Sequence, residues 1–286
     1  MEIPSPHPKK RRTDGKHEES DPTATKARIF CEAVVADLQQ VDAAADTSGL
    51  IRCVMSDIPD IYSGITRNIV IREDDYAFWT AVLKELSEED TSNRVAVVGS
   101  SGIGKSSTVA FAIRLLLEQN KTVVYKFRTV DNTGYYVQLK PTKGAAVGRP
   151  GIPLVEIEVF PEDTKSSKIP SLLNPDTYYV VDPGKTKDNC SPGPFVVCRV
   201  IIVSSPDERH WGGSAFLKDD QTGLGGDIRY FPAWSLSQLK AATDSKLRPH
   251  FCQRFSMTTS QSSIPYLVEY PGRCLLRTGK NGTALN

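Results

Sequence analysis

The run Gly99-Ser100-Ser101-Gly102-Ile103-Gly104-Lys105-Ser106 fits the pattern G-x-x-x-x-G-K-[ST] at every fixed position. The chemistry behind that pattern is anion capture. Glycines let the backbone curl until successive N–H groups face inward. A helix opening at the loop adds its positive end. Lys105 is placed to reach the β- and γ-phosphates of a nucleotide, and the Ser106 hydroxyl to ligate Mg²⁺. Gly99, Ser100, Ser101, Gly102, Ile103, Gly104, Lys105, Ser106 and Ser107 are therefore the expected contacts for ATP or GTP. A chance match in a chain this long arises on the order of one time in a hundred. The competing reading is a flexible glycine turn beside a helix.

Such a loop calls for an acid at the end of a neighbouring strand, to hold the metal directly or through water. Tyr178-Tyr179-Val180-Val181-Asp182 has that form, and Asp182 is the expected second metal ligand beside Ser106. The plainer alternative is that Asp182 caps a turn with Pro183-Gly184. Phe195 to Val203 is followed by Ser204-Ser205-Pro206. Ser204 or Ser205 at that tip is a candidate phosphate sensor, or simply the start of a turn. Lys105, Asp182 and Ser204 make up the candidate catalytic set. No glutamate follows Asp182, where AAA+ ATPases place one to orient water; Pro183 stands there, and Asp207 and Glu208 are the nearest substitutes. Trp211 beside Arg209 and His210 reads as a loop anchor rather than a base-stacking platform.

These residues need elements to position them. The apolar run Arg94–Val98 predicts a strand entering the loop. Helical spacing through Val109, Ala112, Ile113, Leu116 and Leu117 predicts the helix leaving it. Strands are expected over 122–127, 135–139, 154–159, 177–181 and 195–203, and a helix over 234–242 with Ser235 as its cap. The aromatics Tyr230, Phe231 and Trp234 read as core rather than ligand contacts. Ahead of the loop, residues 26–47 predict an amphipathic helix through Ile29, Val34, Val35, Leu38 and Val41. A break around Asp57 to Gly64 and a brief strand over 68–71 follow. A second helix over 73–86 carries Tyr76, Phe78, Trp79, Val82 and Leu86. The fold class expected is α/β, a P-loop NTPase with a mainly parallel sheet flanked by helices. The expected divisions are a disordered basic tail (1–25), an N-terminal helical segment (26–90), the core (91–256) and an irregular or truncated C-terminal segment (257–286).

Composition narrows the classes. The chain has 286 residues, 24% charged and 39% hydrophobic, with a net charge of +1, so a globally basic nucleic-acid binder is not indicated. Six cysteines form no C-x-x-C pair, and four histidines form no H-x-x-x-H pair. Neither a zinc site nor a dense disulfide framework is expected. No apolar run is long enough to span a membrane. The polar, proline-bearing start is unlike a secretory signal. Within it, Pro8-Lys9-Lys10-Arg11-Arg12 is a candidate handle for a nuclear import receptor, or a solvated tail.

Several stretches occur in a telling order: Ile71-Arg72 ahead of Tyr76 and Trp79; Val98 with the glycine loop; Tyr178 to Asp182; Ser204-Ser205-Pro206; and Tyr230-Phe231-Pro232-Ala233-Trp234-Ser235-Leu236-Ser237-Gln238-Leu239. That order resembles the P-loop NTPase module shared by Crinkler effectors of oomycetes and fungi and by trypanosome retrotransposon hot spot proteins, over residues 65–255. The resemblance implies an AAA+/STAND-like ATPase core acting in a nucleus, that of a host cell included, or otherwise in the cytoplasm. It implies Lys105 and Ser106 on the phosphates and Mg²⁺, Asp182 completing the metal site, and Ser204 or Ser205 as sensor. The partners implied are nucleotide, a host protein or a second copy of the chain. The sequence departs from the family in lacking a Leu-Phe-Leu-Ala-Lys header and a convincing element after Arg254-Phe255; no arginine finger is evident. Three functions are consistent with these residues: a nuclear nucleotide-dependent ATPase or switch; a hydrolysis-deficient nucleotide-binding interaction module or truncated remnant; and a small-molecule kinase, for which Arg248 and Arg254 make a poor lid.

Overall fold

The computed structural model describes residues 22–38, 49–60, 65–88, 92–128, 134–142, 153–182, 197–206, 226–244, 265–270 and 273–278. The basic run Lys9–Arg12, Val41, Pro183, Asp207 to Trp211, Arg248 and Arg254 lie outside these residues.

A mostly parallel sheet of seven strands forms the centre, in the order β6-β5-β4-β7-β8-β3-β9. Its strands are β3 (Arg94–Val98), β4 (Val123–Arg128), β5 (Gly134–Thr142), β6 (Leu154–Pro161), β7 (Tyr178–Asp182), β8 (Arg199–Ser204) and β9 (Asp227–Tyr230). β4, β7, β8, β3 and β9 run parallel; β5 and β6 extend one edge antiparallel. β3 is buried at every position. That explains its unbroken apolar texture, because a strand covered on both faces has no polar side to show. After β3 the chain crosses over to β4, returns through β7 and β8, and then passes β3 to place β9 on its far side. The switch in direction falls at β3, and ligand sites in open α/β sheets form beyond the strand ends at such a switch.

Among the described residues four helices accompany the sheet: α1 (Pro22–Leu38), α2 (Glu73–Ser87), α3 (Lys105–Glu118) and α4 (Leu236–Asp244). One face of the sheet shares a core with α1, α2 and α3, in which Phe30, Val34, Trp79, Ile113 and Val97 are all buried. The other face packs Ala96, Val124, Val181 and Ile202 against Ile169 and Leu172, which lie in and beside a short 3₁₀ turn. In α1 the buried stripe is Ala27, Phe30, Cys31, Val34 and Leu38. Ile29, expected on the apolar side, is 47% exposed, since it sits off that stripe. Asp37 and Arg114, both nearly buried, join α1 to α3 at 2.9 Å.

Two antiparallel hairpins complete the described chain. β1 (Ile51–Pro59) pairs with β2 (Thr66–Arg72), so strand structure runs through Asp57, where the sequence predicts a break. β10 (Pro265–Tyr270) pairs with β11 (Arg273–Thr278), in a stretch whose sequence shows no strong period and is expected to be irregular. Among the described residues no helix is long and apolar enough to cross a membrane.

Candidate functional site

β3 delivers the chain to the glycine loop, and α3 starts at Lys105. Gly102 and Gly104 have φ of 79° and 100°, a left-handed region that side chains disfavour. The loop is therefore curled, as the sequence pattern requires. Gly99 lies close to the side chains of Ile103 and Phe231. A Cβ there would lie 2.8 Å from Ile103 Cδ1 and 3.5 Å from Phe231 Cβ. The Lys105 ammonium turns back into the curl and donates to the Gly99 and Ser100 carbonyl oxygens, both at 2.6 Å. Lys105 is nearly buried, while Ser106 and Ser107 open to solvent at the first turn of α3.

The parallel strands bring the other expected residues to the same edge. Val98, the last residue of β3, pairs with Ser204 on β8 and with Tyr230 on β9. Asp182 ends β7, whose Val181 pairs with Ile202. Loop, carboxylate and hydroxyl thus leave the sheet at one end because their strands share direction and register. Asp182 and Ser204 are both nearly buried. Ser106, Ser107 and Asp182 line one cleft of about 60 Å³, whose apolar wall includes Phe30, Ile58 and Tyr125. Space of that size holds a few waters or an ion, since drug-sized ligand pockets are roughly 300–1,000 Å³. Asp60 and Arg67, from the β1–β2 hairpin, line the same cleft. No spacing or motif in the sequence connects either of them with the loop.

A second arrangement that sequence reasoning missed also holds the loop. Phe231, Pro232, Ala233, Trp234 and Ser235 form a strap between β9 and α4. The Phe231 N–H donates to the Val98 carbonyl at 2.8 Å, and the Trp234 indole N–H to the Ile103 carbonyl at 3.1 Å. Arg72, fully buried at the end of β2, anchors the strap. Its guanidinium donates to the Pro232 and Ala233 carbonyls, to Gln238 and to both carboxylate oxygens of Asp75, and it stacks 4.5 Å from the Trp234 ring centre. All five guanidinium N–H donors are used, so this buried charge is compensated. Trp79 on α2 donates to Thr108 Oγ1 at 3.1 Å, fixing the first turn of α3 from behind. Ser235 caps α4 as expected, in a reciprocal box: Gln238 N–H donates to Ser235 Oγ, and Ser235 N–H to Gln238 Oε1.

Of the three aromatics expected in the core, Phe231 is buried and Trp234 half-buried. Tyr230 is 74% exposed, because it ends the edge strand β9. No protein-family model, curated protein or solved structure matches the chain. The chemistry must be read from the site itself. A curled loop with an inward ammonium, a helix start, an open hydroxyl and a buried carboxylate can hold an anion against a hard cation.

Proposed function

We propose that the chain binds a nucleoside triphosphate, ATP or GTP, with Mg²⁺ at the loop after β3, as a P-loop NTPase of the AAA+/STAND-like kind that its sequence resembles. One observation carries this reading: the G-x-x-x-x-G-K-S loop and Asp182 converge at one end of parallel strands, and Ser106 and Asp182 line one cleft. The strand order supports it too, since the loop strand lies at the switch point of the sheet.

In this reading the loop amides and the start of α3 receive the phosphates. Lys105 exchanges the Gly99 and Ser100 carbonyls for phosphate oxygens, and so remains hydrogen-bonded in either state. The donor set suits Mg²⁺. Among the described residues no three His, Cys, Asp or Glu side chains gather as a metal cage. Mg²⁺ characteristically takes one or two protein oxygens and completes its shell with water and phosphate. Ser106 Oγ and the Asp182 carboxylate would supply the protein oxygens, and the bound ion would neutralise charge between the outer phosphates. Ser204, level with Val98, is the sensor candidate on the strand between them.

Calorimetry with Mg-ATP and Mg-GTP tests the reading. Wild type binds, and Lys105→Ala loses on the order of a hundredfold in affinity, a charge-assisted contact to each of two phosphates being removed. Equal affinity in both proteins rejects the site.

A second reading is favoured by Pro183, which follows Asp182 where a water-orienting glutamate would stand. The chain would then be a nucleotide-binding interaction module that does not turn over. Phosphate release separates the two. Turnover abolished by both Lys105→Ala and Asp182→Ala marks an ATPase; tight binding without turnover marks the module. For location, the proposal is nuclear import through Lys9-Lys10-Arg11-Arg12. Nuclear accumulation of a fluorescent fusion, unchanged when those four residues are replaced by alanine, would refute it.

A further inference from the structure

We infer that the β1–β2 hairpin is part of the phosphate site and that Arg67 contacts the terminal phosphate of the bound nucleotide from within the same chain. The inference rests on the loop after β3 binding a nucleoside triphosphate.

Placement comes first. Arg67 and Asp60 line the cleft that also contains Ser106, Ser107 and Asp182. They belong to a hairpin outside the seven-stranded sheet, brought there by its packing and not by chain proximity. The hairpin is aimed by a built irregularity. The pairing register shifts between Met55 and Ile58, and Asp57 between them has φ of 56°. The Asp57 N–H donates to Asn68 Oδ1 at 3.2 Å, which holds the bulge from the partner strand. Bulges bend a strand and redirect the side chains beyond them, and a non-glycine residue at positive φ persists where its surroundings fix it. Beyond the bulge Ile58 pairs with Arg67 and is buried in the cleft wall. The arm is therefore seated by Ile58, with Arg67 carried beside it.

Charge comes second. Among the described residues, the charged side chains lining the cleft are the carboxylates of Asp60 and Asp182 and the guanidinium of Arg67. A triphosphate entering beside two carboxylates needs a cation on that wall, and Lys105 is not among the residues that line it. Arg67 presents a planar fork suited to phosphate oxygens. It is also able to move. Its side chain is 55% exposed and pairs with Asp60 at 3.3 Å. With the guanidinium largely in water, exchanging the half-buried Asp60 carboxylate for phosphate oxygens keeps an anionic partner throughout. Asp60 is then a positioning residue that parks Arg67 at the mouth of the cleft.

The experiment is calorimetry on the full chain with Mg-ATP and Mg-ADP, and the GTP and GDP pair alongside, for wild type, Arg67→Ala, Arg67→Lys and Lys105→Ala. Thermal melts verify that each variant is folded. Arg67→Ala is expected to weaken triphosphate binding about tenfold or more while diphosphate affinity stays within about twofold. Arg67→Lys is expected to recover part of the loss, keeping charge without the fork. Lys105→Ala weakens both nucleotides. If Arg67→Ala leaves the triphosphate-to-diphosphate ratio at the wild-type value while Lys105→Ala still weakens both, the role of Arg67 is overturned and the nucleotide site stands. If Lys105→Ala changes neither affinity, the nucleotide site fails and Arg67 falls with it.

Discussion

The two ends of β2 each carry an arginine, and they are held in opposite ways. Arg72 is fully buried, all its guanidinium donors are satisfied, and it fastens the strap that grips the glycine loop through Trp234. Arg67 is more than half exposed and leans on Asp60 at the rim of the cleft. Burial makes the difference. A guanidinium out of water must have its charge and donors compensated in one fixed geometry, whereas one in water can change partners at little cost. The locked end sets the shape of the loop. The open end can answer a ligand.

The sharpest way to break this contrast is to remove each arginine and measure unfolding in urea. Arg72→Met should cost about 3–5 kcal/mol, because Asp75 is left buried without its cation. Arg67→Ala should fall within about 0.5 kcal/mol of wild type. Similar losses at both positions would erase the distinction. Next in size, Gly104→Ala should cost about 1–2 kcal/mol, since φ of 100° is strained for any side chain while the space there is open out to 3.9 Å. Wild-type stability and nucleotide affinity in the Gly104→Ala variant would show that the curl is not required.

A pH series probes the two closed cores of the sheet. Burial pushes the Cys198 thiol up from its ordinary value near 9 to about 12, and burial with Glu32 nearby raises Cys31 as well. The folded state keeps these protons after the unfolded chain has lost them. Stability is therefore complete below pH 9 and declines as pH rises through the folded values, by at most about 1.4 kcal/mol per pH unit and thiol. Flat stability between pH 8.5 and 10, measured by chemical denaturation, would mean these thiols reach water. Trp234→Phe is a milder change than Gly104→Ala. It keeps the ring over Arg72 and loses the bond to the Ile103 carbonyl, so about 1 kcal/mol is expected. Its specific signature is a weakened nucleotide affinity, larger than that of an exposed substitution beside the strap such as Ser237→Ala.

The site is legible in the sequence where its chemistry is local. Gly99 to Ser106 and the apolar run into Asp182 are each contiguous, and parallel strands then bring their ends together by topology alone. α3 is legible because its apolar spacing is dense. β1 is hidden by Asp57, whose bulge disturbs the alternation, and by Pro59. β9 is hidden by its brevity, with Asp227 and Arg229 in a strand of four residues. The Arg72 cluster cannot be read at all, since its partners Pro232 and Ala233 stand 160 and 161 residues away. Nor can the approach of Arg67 to the cleft, which depends on how a hairpin packs and not on any spacing in the chain.

The most direct measurement is a crystal structure of the full chain with Mg²⁺ and a non-hydrolysable ATP analogue. The account predicts phosphates against the amides of residues 100–106, the Lys105 ammonium transferred from the Gly99 and Ser100 carbonyls to phosphate oxygens, and the cation between Ser106 Oγ and the Asp182 carboxylate. A nucleotide seated elsewhere, with Lys105 still bonded to those two carbonyls, would contradict it.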